Sequence, residues 1–214
     1  MPAERAVIAT EAAEARPRAG AAGSGVTRGS RVTVALAALL LLLAYVFPLW
    51  RYNLAAPQYP EGISMTIWIN RLGGHIHLVN QLNHYIGMKV IDPNGFAELR
   101  YMPWVVATFC AAGLAAAVIG RFWAVAAWVG TFLGSGIVGL ADFYRWLWHF
   151  GHELSPDAPI RIDPFTPPLL GPKTVMNFEV VTFPDVGGIA VIVSLLLGVA
   201  VLVVEVRRRR RAAA

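Results

Sequence analysis

Three of the chain's five histidines, His75, His77 and His84, lie within ten residues of one another in the stretch GGHIHLVNQLNHYIGM. The other two, His149 and His152, are three residues apart. Imidazole is a common metal ligand and titrates near neutral pH. Met88 follows His84 at i, i+4. Imidazole with thioether, and no thiolate, favours copper over structural zinc. The single cysteine, Cys110, sits in an apolar run. It forms no internal disulfide, supplies no CxxC or CxxCH pattern, and reads as a small packing residue. No Gly-rich phosphate loop, HExxH pair or GxSxG turn occurs. Nothing assembles a nucleophile, base and oxyanion site, so the chain is not expected to be an enzyme by itself.

The elements that would hold these side chains follow from periodicity. Residues 76–86 read as a short amphipathic helix, with His77, Gln81, His84 and Met88 within about 60° of one another. Leu78, Val79, Leu82, Tyr85 and Ile86 take the opposite side. His77 and His84 are two turns apart, about 10 Å along the axis, too far to share one metal in an unbroken helix. His149 and His152, at i, i+3, share a face if the helix persists past Gly151. Residues 62–70 alternate like a short half-buried strand.

Around these segments the chain is apolar. It has 214 residues, 57% hydrophobic and only 14% charged, against roughly 25% charged in an average soluble domain. Four apolar blocks, residues 32–50, 101–119, 122–140 and 186–204, are each long enough to span a bilayer. The first exceeds a signal peptide's apolar region and has no small-x-small cleavage site after it, so it reads as a retained helix. Only Gly120 and Arg121 separate the second block from the third, which predicts an antiparallel hairpin. Gly130 and Gly134 give the third a GxxxG spacing suited to close helix packing.

Eleven of the eighteen basic residues lie in three clusters: Arg5, Arg16, Arg18, Arg28 and Arg31; Arg121; and Arg207 to Arg211. A four-span arrangement puts all three in the cytoplasm, as the positive-inside rule requires. The net charge of +5 is therefore a topology signal, with membrane lipid as its partner and no nucleic acid implied; the run Arg207 to Arg211 reads as a stop-and-anchor signal, with a specific anionic-lipid site as the alternative. Both long connections, with all five histidines, then face outward.

The second connection opens with Phe143, Tyr144, Trp146, Trp148 and Phe150, an aromatic belt of the interfacial kind. Asp142 reads as an ionisable group at a helix end, with a proton-handling role as the alternative. Beyond Pro156 the proline content excludes helix. Tyr85, Leu82 and Trp68 are expected to bury against residues 143–150, uniting the two connections.

The pieces YPEGISM (59–65), LNHYIGM (82–88), GHELSPDAPI (151–160), PPLLG (167–171) and NF (177–178) resemble the small multi-pass membrane proteins found with bacterial nitrous oxide reductase. Those proteins belong to its maturation and electron-supply systems. The resemblance covers about residues 50–190 and is most specific at LNHYIGM. It matches His84, Tyr85, Met88 and His152, whereas the family carries acidic or neutral residues where this chain has His75 and His77. It implies support of a periplasmic copper enzyme through copper delivery, cluster assembly or electron transfer.

The expected protein is thus an all-α membrane protein with four transmembrane helices and a small mixed extracytoplasmic cap made by two long loops. Its divisions are a disordered cytoplasmic tail (1–30), spans at 31–50, 101–119, 122–140 and 186–205, outer segments at 51–100 and 141–185, and a basic cytoplasmic tail (206–214). It would lie in the bacterial inner membrane with both termini cytoplasmic. The expected metal site is His84, Met88 and His152, with His77, His149 and His75 secondary; the cofactor is copper, with no haem. Partners would be membrane or periplasmic proteins of a copper-enzyme system. The rival readings are a quinol-linked electron-transfer subunit and a non-catalytic structural subunit.

Overall fold

The computed structural model describes residues 25–175 and 177–213. In chain order the elements are α1 (Arg28–Leu40), α2 (Leu43–Val46), β1 (Trp50–Ala56), β2 (Tyr59–Ile67), β3 (Leu72–Gly74), α3 (Ile76–Ile86), α4 (Glu98–Ile119), α5 (Phe122–His152), β4 (Gly171–Val175), β5 (Phe178–Pro184) and α6 (Val186–Ala213). Taking α1 and α2 as one, four helices are long and apolar enough to cross a membrane. Their joint at Leu41 and Leu42 is a tighter turn, where amide groups reach carbonyls three residues back, as in a 3₁₀ helix.

The helix packing centres on Trp128 of α5, which is 3% exposed. Its Nε1 donates to the Phe109 carbonyl of α4 at 2.9 Å. Gly113 and Gly198 make room for the indole: a Cβ on either would approach it to 2.8 Å and 3.0 Å respectively. Both distances are below ordinary contact, so a larger side chain would push the helices apart. The buried Ser194 hydroxyl donates to the Ala37 carbonyl at 2.7 Å, linking α6 to α1. By contrast, a Cβ on Gly130 or Gly134 meets nothing within 4 Å. The GxxxG spacing is not used for packing among the described residues.

Several expected boundaries move. Helix α5 runs through His152 rather than ending near residue 140. At 31 residues it is about 46 Å long, well beyond a hydrocarbon core of about 30 Å. No proline interrupts it before Pro156, and Asp142 pairs with Arg145 one turn on, at 2.6 Å. Asp142 is therefore inside the helix and not at its end. Residues 25–30, assigned to a tail, are ordered: Val26 is buried and Thr27 caps α1 by accepting the Ser30 amide at 3.1 Å. The remaining tail residues, 1–24, lie outside the described residues. The basic run Arg207 to Arg211 is helical, because α6 continues to Ala213.

The chain is mostly helical but not all-α. The two long connections build one five-stranded antiparallel sheet, in the order β3-β2-β1-β5-β4. Hairpins β1–β2 and β4–β5 are sealed by β1 against β5, from Trp50 opposite Pro184 to Ala55 opposite Glu179. The strand expected at 62–70 is β2, a few residues earlier. Strand β1 is hidden in the sequence because it continues straight out of an apolar block, and one of its two partners, β5, lies more than 120 residues away.

One face of the sheet carries α3, with Ile63, Val79 and Leu82 buried between them. Elsewhere Trp50 and Tyr52 of β1 meet Phe143 of α5 edge-on, at 5.7 and 6.4 Å. Burial raises the Tyr52 phenol above its ordinary pKa, and its hydroxyl donates to the Pro168 carbonyl at 3.0 Å. Arg51 pairs with Asp185 at 2.7 Å. The other oxygen of Asp185 accepts the Val186 amide at 2.7 Å, fixing the start of α6 beneath the sheet. The sheet thus caps one end of the helices. At the opposite end the Val26 amide reaches the Gly120 carbonyl, Arg31 the Ala117 carbonyl, and Arg208 the Gly25 carbonyl. Arg31, Arg121 and Arg208 are therefore gathered at one end of the bundle.

Candidate functional site

Helix α3 buries Val79, Leu82, Asn83 and Ile86 and exposes His77, Gln81 and His84, as the periodicity predicts. Tyr85 departs from it and is 53% exposed. The helix stops at Gly87, whose φ of 77° is the left-handed conformation favoured at helix ends. The Met88 amide turns back to the Asn83 carbonyl at 2.9 Å.

This terminus is the seat of a joint. The Gly87 carbonyl accepts the Ser155 amide at 2.8 Å, and the Tyr85 carbonyl accepts the Ile160 amide at 2.9 Å. A Cβ on Gly87 would lie 2.8 Å from the Ala158 Cβ and 3.0 Å from the Ser155 carbonyl oxygen. The end of α5 is held as closely: the Gly151 carbonyl accepts the Phe165 amide at 3.0 Å, and a Cβ on Gly151 would collide with the Phe165 carbonyl. The stretches LNHYIGM and GHELSPDAPI, some seventy residues apart in sequence, are thus folded onto each other.

Charge reinforces the joint. Glu153 accepts from Lys89 through one carboxylate oxygen and bonds His149 Nδ1 through the other, the latter at 2.6 Å. The Lys89 hydrogen bond, then that from His149, lowers the Glu153 pKa below its ordinary 4.5. These side chains are exposed enough for water and salt to weaken the attraction. Sequence reasoning missed Lys89 and Glu153. The i, i+4 spacing of His149 and Glu153 was a usable signal; Lys89 enters only through the fold.

The histidines fall into distinct chemical states. A carbonyl only accepts, so the 3.0 Å contact between His152 Nδ1 and the Trp148 carbonyl places the hydrogen on Nδ1. In the neutral ring, Nε2 then keeps its lone pair. The same holds for His149, whose Nδ1 faces the Glu153 carboxylate, an orienting contact of the kind found behind metal-bound histidines. His152 is also stacked on Trp148, at 4.5 Å and 11°. His75 is the reverse case. Its Nδ1 accepts the Ser64 amide at 3.3 Å, which uses the lone pair of the neutral ring at the start of α3.

His84 is exposed, and among the described residues its ring contact is with Tyr85, at 6.4 Å. Among the described residues no hydrogen bond or ring contact joins His84, Met88 and His152, the set expected to hold copper. Among the described residues no group of three or more His, Cys, Asp or Glu side chains is placed to hold a metal ion. The structure does bring their backbones together, because the turn carrying His84 and Met88 rests on the segment that follows His152.

The expected burial of Tyr85, Leu82 and Trp68 against residues 143–150 is not seen. Leu82 packs against the sheet, while Trp68 bonds Thr66 and lies under the Arg71 guanidinium at 4.2 Å. The aromatic stretch finds other partners: Trp146 and Phe150 meet Phe96 at 4.8 and 6.2 Å. Compared in sequence with protein families and with curated proteins, the chain matches none.

Proposed function

We propose that this chain is a membrane-embedded accessory protein that supports a periplasmic copper enzyme of the nitrous oxide reductase type. The cap is its docking surface, and the joint between α3 and the end of α5 presents His84, Met88, His149 and His152 to copper or to a partner protein. In this reading the cap faces the periplasm of a bacterial inner membrane and both termini are cytoplasmic. The observation that supports it is the joint itself. LNHYIGM, the most specific piece of the resemblance, and GHELSPDAPI, another of its pieces, are bonded together by their backbones. The chain is then a non-catalytic component, with partner capture or copper handling as its work.

The test uses the organism that makes the protein. Deleting the chain is expected to lower the copper content and activity of the periplasmic reductase, and the wild-type chain to restore both. A His84→Ala, His152→Ala double variant is expected to accumulate in the membrane without restoring copper loading. A fully loaded, active reductase in the deletion strain overturns the proposal.

A structural-subunit reading draws on α5. Every residue at positions 133–141 except Ser135 is exposed within the chain, leaving that length of helix to lipid or to another subunit. Under it, deletion would disperse a membrane complex whatever the copper supply.

A further inference from the structure

We infer that the basic end of α6 is a binding site for the headgroup of an anionic phospholipid. Val204, Arg207, Arg208 and Arg211 line a groove of about 350 Å³. Their positions, i, i+3, i+4 and i+7, form one face of a helix. The five arginines are therefore not equivalent, although in sequence they form an undifferentiated run. Arg208 is fastened from behind: its Nε lies 3.1 Å from the buried Glu205 carboxylate and its guanidinium donates to the Gly25 carbonyl at 3.0 Å. Glu205 is itself fixed by the Thr27 amide at 2.8 Å and the Ser30 hydroxyl at 2.6 Å. Arg209 lies over the Phe122 ring at 4.6 Å. Arg207 and Arg211 have no internal partner among the described residues, and both side chains line the groove. Glu205 offsets the charge of Arg208, which leaves the charges of Arg207 and Arg211 uncompensated, and a guanidinium matches phosphate geometry.

The position of the groove along the helix selects a lipid over a soluble anion. About 20 residues cross the hydrocarbon, which from Val186 brings α6 to about residue 205. The three arginines then lie at the depth of the phosphates. Directly toward the bilayer, Val204 is 57% and Leu196 59% exposed, an apolar strip for the acyl chains of the same molecule. This inference needs the chain to lie in a membrane but does not depend on a copper-enzyme partner.

The experiment is native mass spectrometry of the full chain in detergent, titrated with phosphatidylglycerol, with phosphatidylcholine and with inorganic phosphate. One phosphatidylglycerol is expected to remain bound, phosphatidylcholine to be lost, and inorganic phosphate to fail as a competitor. Arg207→Gln and Arg211→Gln, singly and together, remove exposed side chains without internal partners. Each is expected to weaken phosphatidylglycerol binding by about tenfold or more, the loss of a charge-assisted contact. Arg210→Gln, which removes the same charge outside the groove, is expected to change nothing. Equal loss in Arg210→Gln overturns the site in favour of a diffuse charge effect. Equal retention of phosphatidylcholine, or displacement by inorganic phosphate, overturns it as an anionic-lipid site.

Discussion

Replacing Gly87 by alanine tests whether the joint is the organising feature of the cap. Two costs add. A non-glycine residue at a φ of 77° is strained by about 1 kcal/mol. The new Cβ would also sit 2.8 Å from the Ala158 Cβ and 3.0 Å from the Ser155 oxygen, overpacking that costs about 1–3 kcal/mol. Together they weaken closure by about 2–4 kcal/mol, which at 1.4 kcal/mol per decade is about 30- to 1,000-fold in the opening equilibrium. The assay is amide hydrogen exchange of the Ser155 and Ile160 groups, whose acceptors are the Gly87 and Tyr85 carbonyls. Their protection should fall by that factor while amides in α4 keep theirs. Gly134→Ala is the control, since its Cβ meets nothing within 4 Å. Unchanged protection at Ser155 and Ile160 in the Gly87 variant would refute the reasoning.

In a copper titration of the purified chain, His84→Ala and His152→Ala are expected to lower copper binding and His75→Ala to leave it unchanged, because His75 Nδ1 already serves the Ser64 amide; equal, negligible binding in all forms would leave a docking protein without a metal. Glu153 should titrate below 4.5 by carboxyl ¹³C NMR, and Lys89→Gln should move it back toward that value; its support of the joint is complete above the ordinary carboxylate range and is lost as pH falls through the lowered pKa. Trp128→Ala should destabilise the helix bundle by about 3–5 kcal/mol, read from unfolding in detergent, whereas a Trp123→Ala change at a 60% exposed site should not. Periplasm-only reporters should be active when fused within residues 155–175 and silent after Arg211; activity at the latter site would overturn the proposed orientation.

The helical part of this protein was legible because a helix long and apolar enough to cross a membrane is a local property. Twenty apolar residues form a helix in lipid whatever their neighbours, since backbone groups there find no other partners. The pairing of residues 101–119 with 122–140 was equally local, fixed by a Gly120–Arg121 turn too short for any other arrangement. The α3 helix showed in its 3.6-residue period, because one face buries Val79 and Leu82 and the other meets water.

What the sequence concealed depends on distant partners. A strand has no internal hydrogen bonds, so β1 exists only because β2 and β5 supply them, and β5 lies more than 120 residues away. Nine of the twelve residues by which α5 outruns its apolar block are polar or aromatic; their helicity is decided by Phe96, Phe165 and the Asp142–Arg145 pair. The candidate site divides the same way. Sequence picks out His84, Met88 and His152 by type and by resemblance. Only the fold decides that their chain segments meet, that Lys89 and Glu153 bind the joint together, and that His75 is committed to the Ser64 amide. Side-chain type sets what chemistry is available, but the direction of each lone pair depends on a hydrogen bond to a residue the sequence does not place beside it.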